Sequence, residues 1–498
     1  VVFRLNSHYF FKIRVFLFVN NSCSFVEKRH GRKTNTIDLM NLKDKNILVV
    51  GLGVSGFATA CFLKNRGAAV TVTDTADEEK LASYIPRLRE RGILLELGCH
   101  RTETFERADS IVISPGVPHT IAPIKAAMEK GVSVLGEIEL ASRFVKEPIV
   151  AVTGTNGKTT TATLLGKMLE KSGFKVFVGG NIGTPLIAYA DGNDKADMIV
   201  LEISSFQLDT ISTFRPRVAV LLNITNDHLE RYPNFAGYAE SKARIFENQQ
   251  ADDFAVLNSS DPVVYSVTRH IKSRKLEIEE GVRGQGSGVR GLVPTPLYKN
   301  GVGMQPGRSA SLLQFQIPAS LPGKHNFENV SAACLAASAM GGTAEGIQTA
   351  LDNFRGLPHR IAYVATINSV RYFDDSKATN TDAVIKALEC FDKPVVLIMG
   401  GRGKGGGYQE LREVIRLHAK KLIAMGEAKK DIIAELGDIT ASAEASSMED
   451  AVLQAYHAAE PGDIVLLSPA CSSFDMYSGY AARGEHFSRL VGQLRSEN

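Results

Sequence analysis

Short apolar runs alternate along this chain with stretches whose apolar positions recur every three to four residues. Ile47 to Val50 reads as a strand, Val54 to Asn65 as a helix closed by Gly67, and Ala69 to Thr73 as a second strand ending at Asp74. Further strands are predicted at Ser110 to Ser114, Ser133 to Leu135, Pro148 to Thr153, Lys175 to Gly179, Met198 to Ile203 and Val218 to Asn223. A third series begins near Ile361, with strands at Arg371 to Asp374, Val395 to Met399, Leu422 to Met425 and Asp463 to Leu467. Such a β–α rhythm predicts parallel sheets covered by helices. The chain therefore reads as α/β with three domains, 40–136, 137–356 and 357–498, behind an extension over 1–39.

Two segments break the rhythm. Residues 281–308 hold eight glycines and three prolines without an apolar period, which predicts an inserted loop. Residues 1–39 mix aromatics with seven Lys/Arg against two Asp/Glu, and their apolar stretch Phe10 to Val19 is interrupted by Lys12 and Arg14. That stretch is too short to span a bilayer. Met40 stands just before the regular pattern, so 1–39 is expected to be disordered or an upstream translation artefact, with a targeting segment as the alternative.

Size and charge narrow the function. A chain of 498 residues exceeds one hydrophobic core. The net charge of +3 divides into +5 over residues 1–39 and −2 over the rest, which speaks against nucleic-acid binding by bulk electrostatics. Six scattered cysteines without C-x-x-C spacing speak against zinc and disulfides and suit a reducing cytosol.

The chemistry begins at Gly154-Thr155-Asn156-Gly157-Lys158-Thr159-Thr160, between a β-branched strand and a helical pattern. Backbone N–H groups in such a turn converge on an anion, Lys158 pairs outer phosphates and Thr159 offers a hydroxyl to Mg²⁺. Val152 stands where the fuller phosphate-loop pattern has its first glycine. Strand and helix on either side nonetheless favour nucleotide binding over a flexible turn, and ATP is the expected ligand. A second Gly-rich turn, Gly51-Leu52-Gly53-Val54-Ser55-Gly56, also follows a strand and opens a helix, with Asp74 closing the next strand. Alone it would indicate a dinucleotide-dependent dehydrogenase. Beside an ATP loop, a nucleotide-diphosphate-activated substrate fits better, and a turn kept only for packing stays open.

Glu202 sits at the carboxyl end of a strand, where it could ligate the metal that Thr159 and phosphates hold. His228 follows the strand Val218 to Leu222 on the same sheet edge, and Lys242, from its local sequence, reads as a surface lysine. Taken together, Gly154 to Thr160, Glu202 to Leu208, Asn223 to His228, Tyr238 to Arg244, Leu321 to Asn329 and Gly356 to Arg360 resemble the Mur ligase family. The resemblance runs from about Met40 to the C-terminus, without the Gly-rich insertion. Phe373-Asp374-Asp375-Ser376-Lys377-Ala378-Thr379-Asn380 and Ser468 to Asp475 resemble the members that add D-glutamate.

The resemblance implies a Rossmann-like first domain, a P-loop ATPase-like second and a Rossmann-like third. It implies ATP-dependent amide-bond formation between UDP-N-acetylmuramoyl-L-alanine and D-glutamate through an acyl phosphate, in peptidoglycan precursor synthesis in the cytoplasm. A monomer, with neither nucleic acid nor membrane as partner, is expected. By the same carry-over, Gly51, Gly53, Val54, Ser55, Asp74, Thr75, Ser114 and Asn181 serve the UDP substrate. Asn326, Arg360 and Asp375 join the phosphate loop at ATP, and Lys377 acts in catalysis. Thr159 and Glu202 hold a first Mg²⁺, with His228 and a carbamylated Lys242 at a second. Thr379, Lys404, Ser473 and Tyr480 hold D-glutamate, Tyr480 standing where phenylalanine is more usual. A dehydrogenase, an inert nucleotide-binding relative and a folylpolyglutamate-synthase-like enzyme are the competing readings.

Overall fold

The computed structural model describes residues 41–227, 231–278, 321, 323–403, 405 and 407–494, and the backbone of four strands between 288 and 316. The extension expected over 1–39 lies outside them. In the first sheet, β1 (Asn46–Val50), β2 (Ala69–Asp74), β3 (Leu94–Leu97), β4 (Ser110–Ile113) and β5 (Ser133–Gly136) run in the order β3-β2-β1-β4-β5, every pair parallel. The chain leaves β1 toward one edge and returns to the other side of it at β4. That reversal opens a crevice at the carboxyl end of β1, where Gly51 turns the chain with φ +91.

The second sheet comprises β6 (Ile149–Thr153), β7 (Val176–Gly180), β8 (Met198–Glu202), β9 (Val218–Leu221), β10 (Phe254–Leu257) and β11 (Arg274–Glu277). Its order is β11-β10-β9-β6-β8-β7, again parallel throughout. Alternate residues feed opposite faces. Val150, Val152, Val200 and Val220 pack with the helices Lys158–Lys171 and Lys324–Ala339. Ala151, Leu201 and Leu221 pack on the other face in a core continuous with that of the first sheet.

The expected loop over 281–308 is corrected in its described part. There β12 (Gly288–Val293) pairs antiparallel with β15 (Ser311–Gln316), and β13 (Tyr298–Lys299) with β14 (Val302–Gly303). The partner arm of β12 lies beyond the glycine-rich window, so no local period within it reveals the pairing. The other residues of 281–308 fall outside the described part.

The third sheet holds β16 (Ala362–Ile367), β17 (Val370–Asp374), β18 (Val395–Gly400), β19 (Ala419–Met425), β20 (Ala441–Glu444) and β21 (Ile464–Leu467) in the order β16-β17-β21-β18-β19-β20. Only β16 and β17 are antiparallel, joined through Asn368 and Ser369 at φ 49 and 63, the two left-handed residues that a tight hairpin turn demands. Loops leaving the carboxyl ends of β6, β8, β9, β17, β18 and β21 supply most of the residues discussed next.

Candidate active site

Strand β6 delivers the chain into Gly154 to Gly157, and Gly157, at φ +85, caps the helix Lys158–Lys171. A Cβ on Gly157 would come within 2.0 Å of Asn329 Oδ1, so only glycine lets this turn lie against the second helix. The loop is tied to the segment after β9. Thr155 N–H donates to the Asn223 carbonyl at 2.9 Å, and Asn156 N–H to Asn223 Oδ1 at 2.8 Å. Lys158 Nζ donates to the carbonyls of Gly154 and Thr155 at 2.9 and 2.8 Å. Thr160 is buried at the same helix end.

Lys242 is not a surface lysine. It lies on the helix Phe235–Ala243, is 2% exposed, and donates from Nζ to the Gly154 carbonyl at 2.8 Å. Burial, and then the neighbouring Lys158 ammonium, hold its charged form well below the usual lysine range. A helix lysine with polar neighbours in sequence reads as solvated. Only the tertiary fold brings it under the phosphate loop.

Glu202 is buried at the end of β8, where Asn181 Nδ2 donates to its Oε1 at 2.9 Å and its Oε2 meets no hydrogen-bond partner. An orphaned buried carboxylate oxygen beside a phosphate loop has the chemistry of an Mg²⁺ ligand. Thr159, in the first turn of the adjacent helix, supplies a hydroxyl. Among the described residues no cluster of three His, Cys, Asp or Glu side chains forms. The Glu202 carboxylate and the Thr159 hydroxyl are hard oxygen donors that suit Mg²⁺ shared with substrate phosphates. His228 lies outside the described residues. Asn181 stands beside Glu202, not with the Gly51 to Asp74 group.

The third sheet reaches this centre. Arg360 Nη2 and Lys377 Nζ both donate to Thr159 Oγ1, at 3.3 and 3.1 Å, and Lys377 also donates to the Tyr480 hydroxyl at 3.2 Å. Burial and Arg360 push Lys377 down to about 8. Burial likewise depresses Arg360 and lifts Asp375 to about 7, although Ser468 Oγ donates to Asp375 at 2.8 Å. A 650 Å³ cavity opens between the second and third sheets, lined by Asn156, Gly157, Asn326, Arg360, Phe373 and Asp375 among others. Its walls combine loop amides, cations and aromatic surface, the complement of a nucleotide.

Ser473 is buried after β21, while Thr379 is half-buried after β17. Lys404 lies outside the described residues. Behind these loops sits a residue that sequence reading passes over. Arg483, 1% exposed, donates to the carbonyls of Ser376, Gly400, Cys471 and Ser472 and to Ser376 Oγ. It ties the loops that carry Lys377 and Ser473 to the end of β18. Asp382 is equally silent in sequence, because its partner Asn156 lies in the second domain.

At the first sheet, Ser114 Oγ donates to the Gly51 carbonyl at 2.8 Å. Asp74 accepts from the N–H groups of Leu52 and Ala76 at 2.6 and 2.8 Å, so its carboxylate braces the turn. Gly53 caps the helix Val54–Asn65, Val54 is 59% exposed, Ser55 follows in its first turn and Thr75 bends the chain after β2. This group stands apart from the phosphate loop, on its own sheet edge. Between them Arg231 lies over the Phe206 ring at 3.8 Å and donates to the Gly116 carbonyl at 3.2 Å. Among the described residues no helix is long and apolar enough to cross a membrane.

Comparison with known proteins agrees with this arrangement. Residues 45–136 match the MurD-like N-terminal domain of Mur ligases, 152–337 the Mur ligase middle domain and 359–471 the Mur ligase glutamate ligase domain. The UDP-N-acetylmuramoylalanine–D-glutamate ligase of Desulfosudis oleivorans is 52% identical over 91% of this chain and 97% of its own length. The protein of the same name from Desulfatibacillum aliphaticivorans is 49% identical over 91% of this chain and 100% of its own. The solved UDP-N-acetylmuramate-alanine ligase MurC of Thermotoga maritima, 20% identical, matches in fold with a TM-score of 0.53 over 91% of this chain and 100% of its own. With all three domains matched and identity near half over nearly the whole of these relatives, the chain belongs to the Mur ligase family.

Proposed function

We infer that this chain joins D-glutamate to UDP-N-acetylmuramoyl-L-alanine at the expense of ATP, releasing ADP and phosphate. The docking of Lys377 and Arg360 on Thr159 carries the reading, because it sets third-sheet cations against the phosphate loop. Amide formation from a carboxylate needs a better leaving group than hydroxide. Transfer of the γ-phosphoryl to the substrate carboxylate supplies one, as an acyl phosphate that the D-glutamate amine then attacks. The difficulty is charge, since a carboxylate must approach a polyphosphate. Lys158, Lys377 and Arg360 offset that repulsion in a partly desolvated site. Mg²⁺, held by Thr159, Glu202 and His228, would add to the same electrostatic relief.

The Gly51 turn with Asp74, Thr75 and Ser114 takes the uridine diphosphate, and Asn181 the sugar side next to Glu202. Thr379, Lys404, Ser473 and Tyr480 take the D-glutamate carboxylates. Nucleotide-activated sugar and ATP as substrates place the reaction in the cytoplasm. Lys242 enters as a carbamate. Its burial favours the neutral amine, whose nitrogen bonds to the carbon of CO₂ and releases a proton, leaving an oxygen-rich anion of the kind Mg²⁺ prefers. Lys242→Ala should be folded and nearly inactive, with partial recovery on addition of a short carboxylic acid. Full activity of that variant would end the carbamate proposal.

Phosphate release from ATP, measured with UDP-N-acetylmuramoyl-L-alanine and D-glutamate each omitted in turn, tests the whole reading. Release should require both. Preference for L-glutamate or a diamino acid would overturn the substrate assignment, and NAD reduction would restore the dehydrogenase alternative.

A further inference from the structure

The phosphate loop is held from two directions. The Asn156 backbone belongs to the second sheet's network, through Asn223. Its side chain belongs to the third domain. Asp382, 226 positions away, accepts from Asn156 Nδ2 at 2.6 Å, and Asn380 Nδ2 approaches Asn156 Oδ1 at 3.4 Å. Both acceptor and donor stand at the start of the helix Thr381–Leu388, which Asn380 caps by accepting from the Ala383 N–H at 2.9 Å. Asp382 thus sits in the first turn, where the helix dipole favours a carboxylate. One turn further on, Lys386 Nζ lies 2.7 Å from the same carboxylate oxygen. A second polar contact runs parallel, with Glu410 accepting from Asn226 at 3.3 Å and from Thr381 at 3.1 Å.

An isolated carboxylate beside a phosphate loop would repel ATP. Paired with Lys386, which also lines the nucleotide cavity, Asp382 keeps its hydrogen-bond geometry without a net negative charge. We propose that Asp382 is a positioning residue for ATP. It orients Asn156 when the third domain docks, and Lys386 cancels its charge toward the phosphates. The inference rests on the ligase reading for its kinetic arm only. It gives the third domain a direct hold on the loop that receives the nucleotide, beyond the cations placed at Thr159.

The test uses the full chain. Asp382→Ala should lower kcat/KM for ATP about tenfold, the scale of a lost hydrogen bond to a charged group, without moving the melting temperature. Asp382→Asn retains an acceptor for Asn156 and should stay within about threefold of wild type. Lys386→Met leaves the carboxylate unbalanced and should raise KM for ATP more than it lowers kcat. Removing Asp382 as well should restore part of that KM. In an Asn156→Ala background, Asp382→Ala should add no further loss. Full activity of Asp382→Ala, or an undiminished tenfold loss in the Asn156→Ala background, overturns the proposal. Calorimetric binding of the ATP analogue adenylyl imidodiphosphate gives the same comparison without turnover. If the wild-type chain releases no phosphate, the ligase reading fails, while the positioning role stands or falls on whether Asp382→Ala weakens that binding.

Discussion

Lys377 shows how one charge state governs the site. Burial first, and Arg360 next, bring it to about 8, so it is cationic below that pH and neutral above it. A neutral Lys377 no longer attracts a phosphate, and kcat/KM for ATP should therefore fall as pH rises through 8. Lys377→Arg should keep activity on the alkaline side and move that limb out of range. A wild-type profile flat to pH 10 would contradict the assignment. Asp375 has the opposite signature in stability. Burial lifts it to about 7 in the folded chain, against about 3.9 for an unfolded aspartate. The folded state holds the extra proton between these values, so the stability it contributes is complete below the lower value and lost as pH rises toward 7. Asp375→Asn escapes that loss, and its melting temperature should gain on wild type between pH 4 and 7.

At the scale of elements, close backbone approach is the recurring device. Gly56 lies in the helix Val54–Asn65 where a Cβ would stand 1.9 Å from the Gly51 carbonyl oxygen. Gly56→Ala must push the helix off the turn, and should cost about 1–3 kcal/mol in chemical denaturation, the usual scale of overpacking. An unchanged midpoint would show the turn to be slack. Most central strands were legible in sequence because their residues are apolar on both faces, as in Ile149 to Val152 and Met198 to Leu201, although Phe254–Leu257 was passed over. Some edge strands were not legible. Arg274–Glu277 and Ala441–Glu444 lie at sheet edges with mostly exposed residues, and carry no apolar run to announce them. The same contrast divides the site. Gly154 to Thr160 is contiguous and could be read directly, as could the resemblance around Phe373 to Asn380. Asp382 and Arg483 act through partners far away in sequence, and Lys242 is polar among polar neighbours until the fold buries it.

For the whole molecule, the decisive feature is that no single sheet owns the nucleotide cavity. Its lining comes from the phosphate loop and the helix Lys324–Ala339 on one side and from the third sheet with the helix Thr381–Leu388 on the other. Adenylyl imidodiphosphate at about a hundredfold excess over its dissociation constant should add about 2.7 kcal/mol of stability. Because both halves touch it, the second and third domains should melt later together. A rise confined to one of two transitions would mean that the nucleotide sits on one half alone. Linkage also works in reverse. Whatever draws the third domain onto the nucleotide is drawn equally by the nucleotide, and ADP left behind after phosphoryl transfer engages most of the same walls. The contacts at Thr159 and Asn156 that assemble the site for chemistry therefore also retard departure of the spent nucleotide. Turnover would then be set by reopening rather than by bond formation, and kcat should decline as solvent viscosity is raised with sucrose.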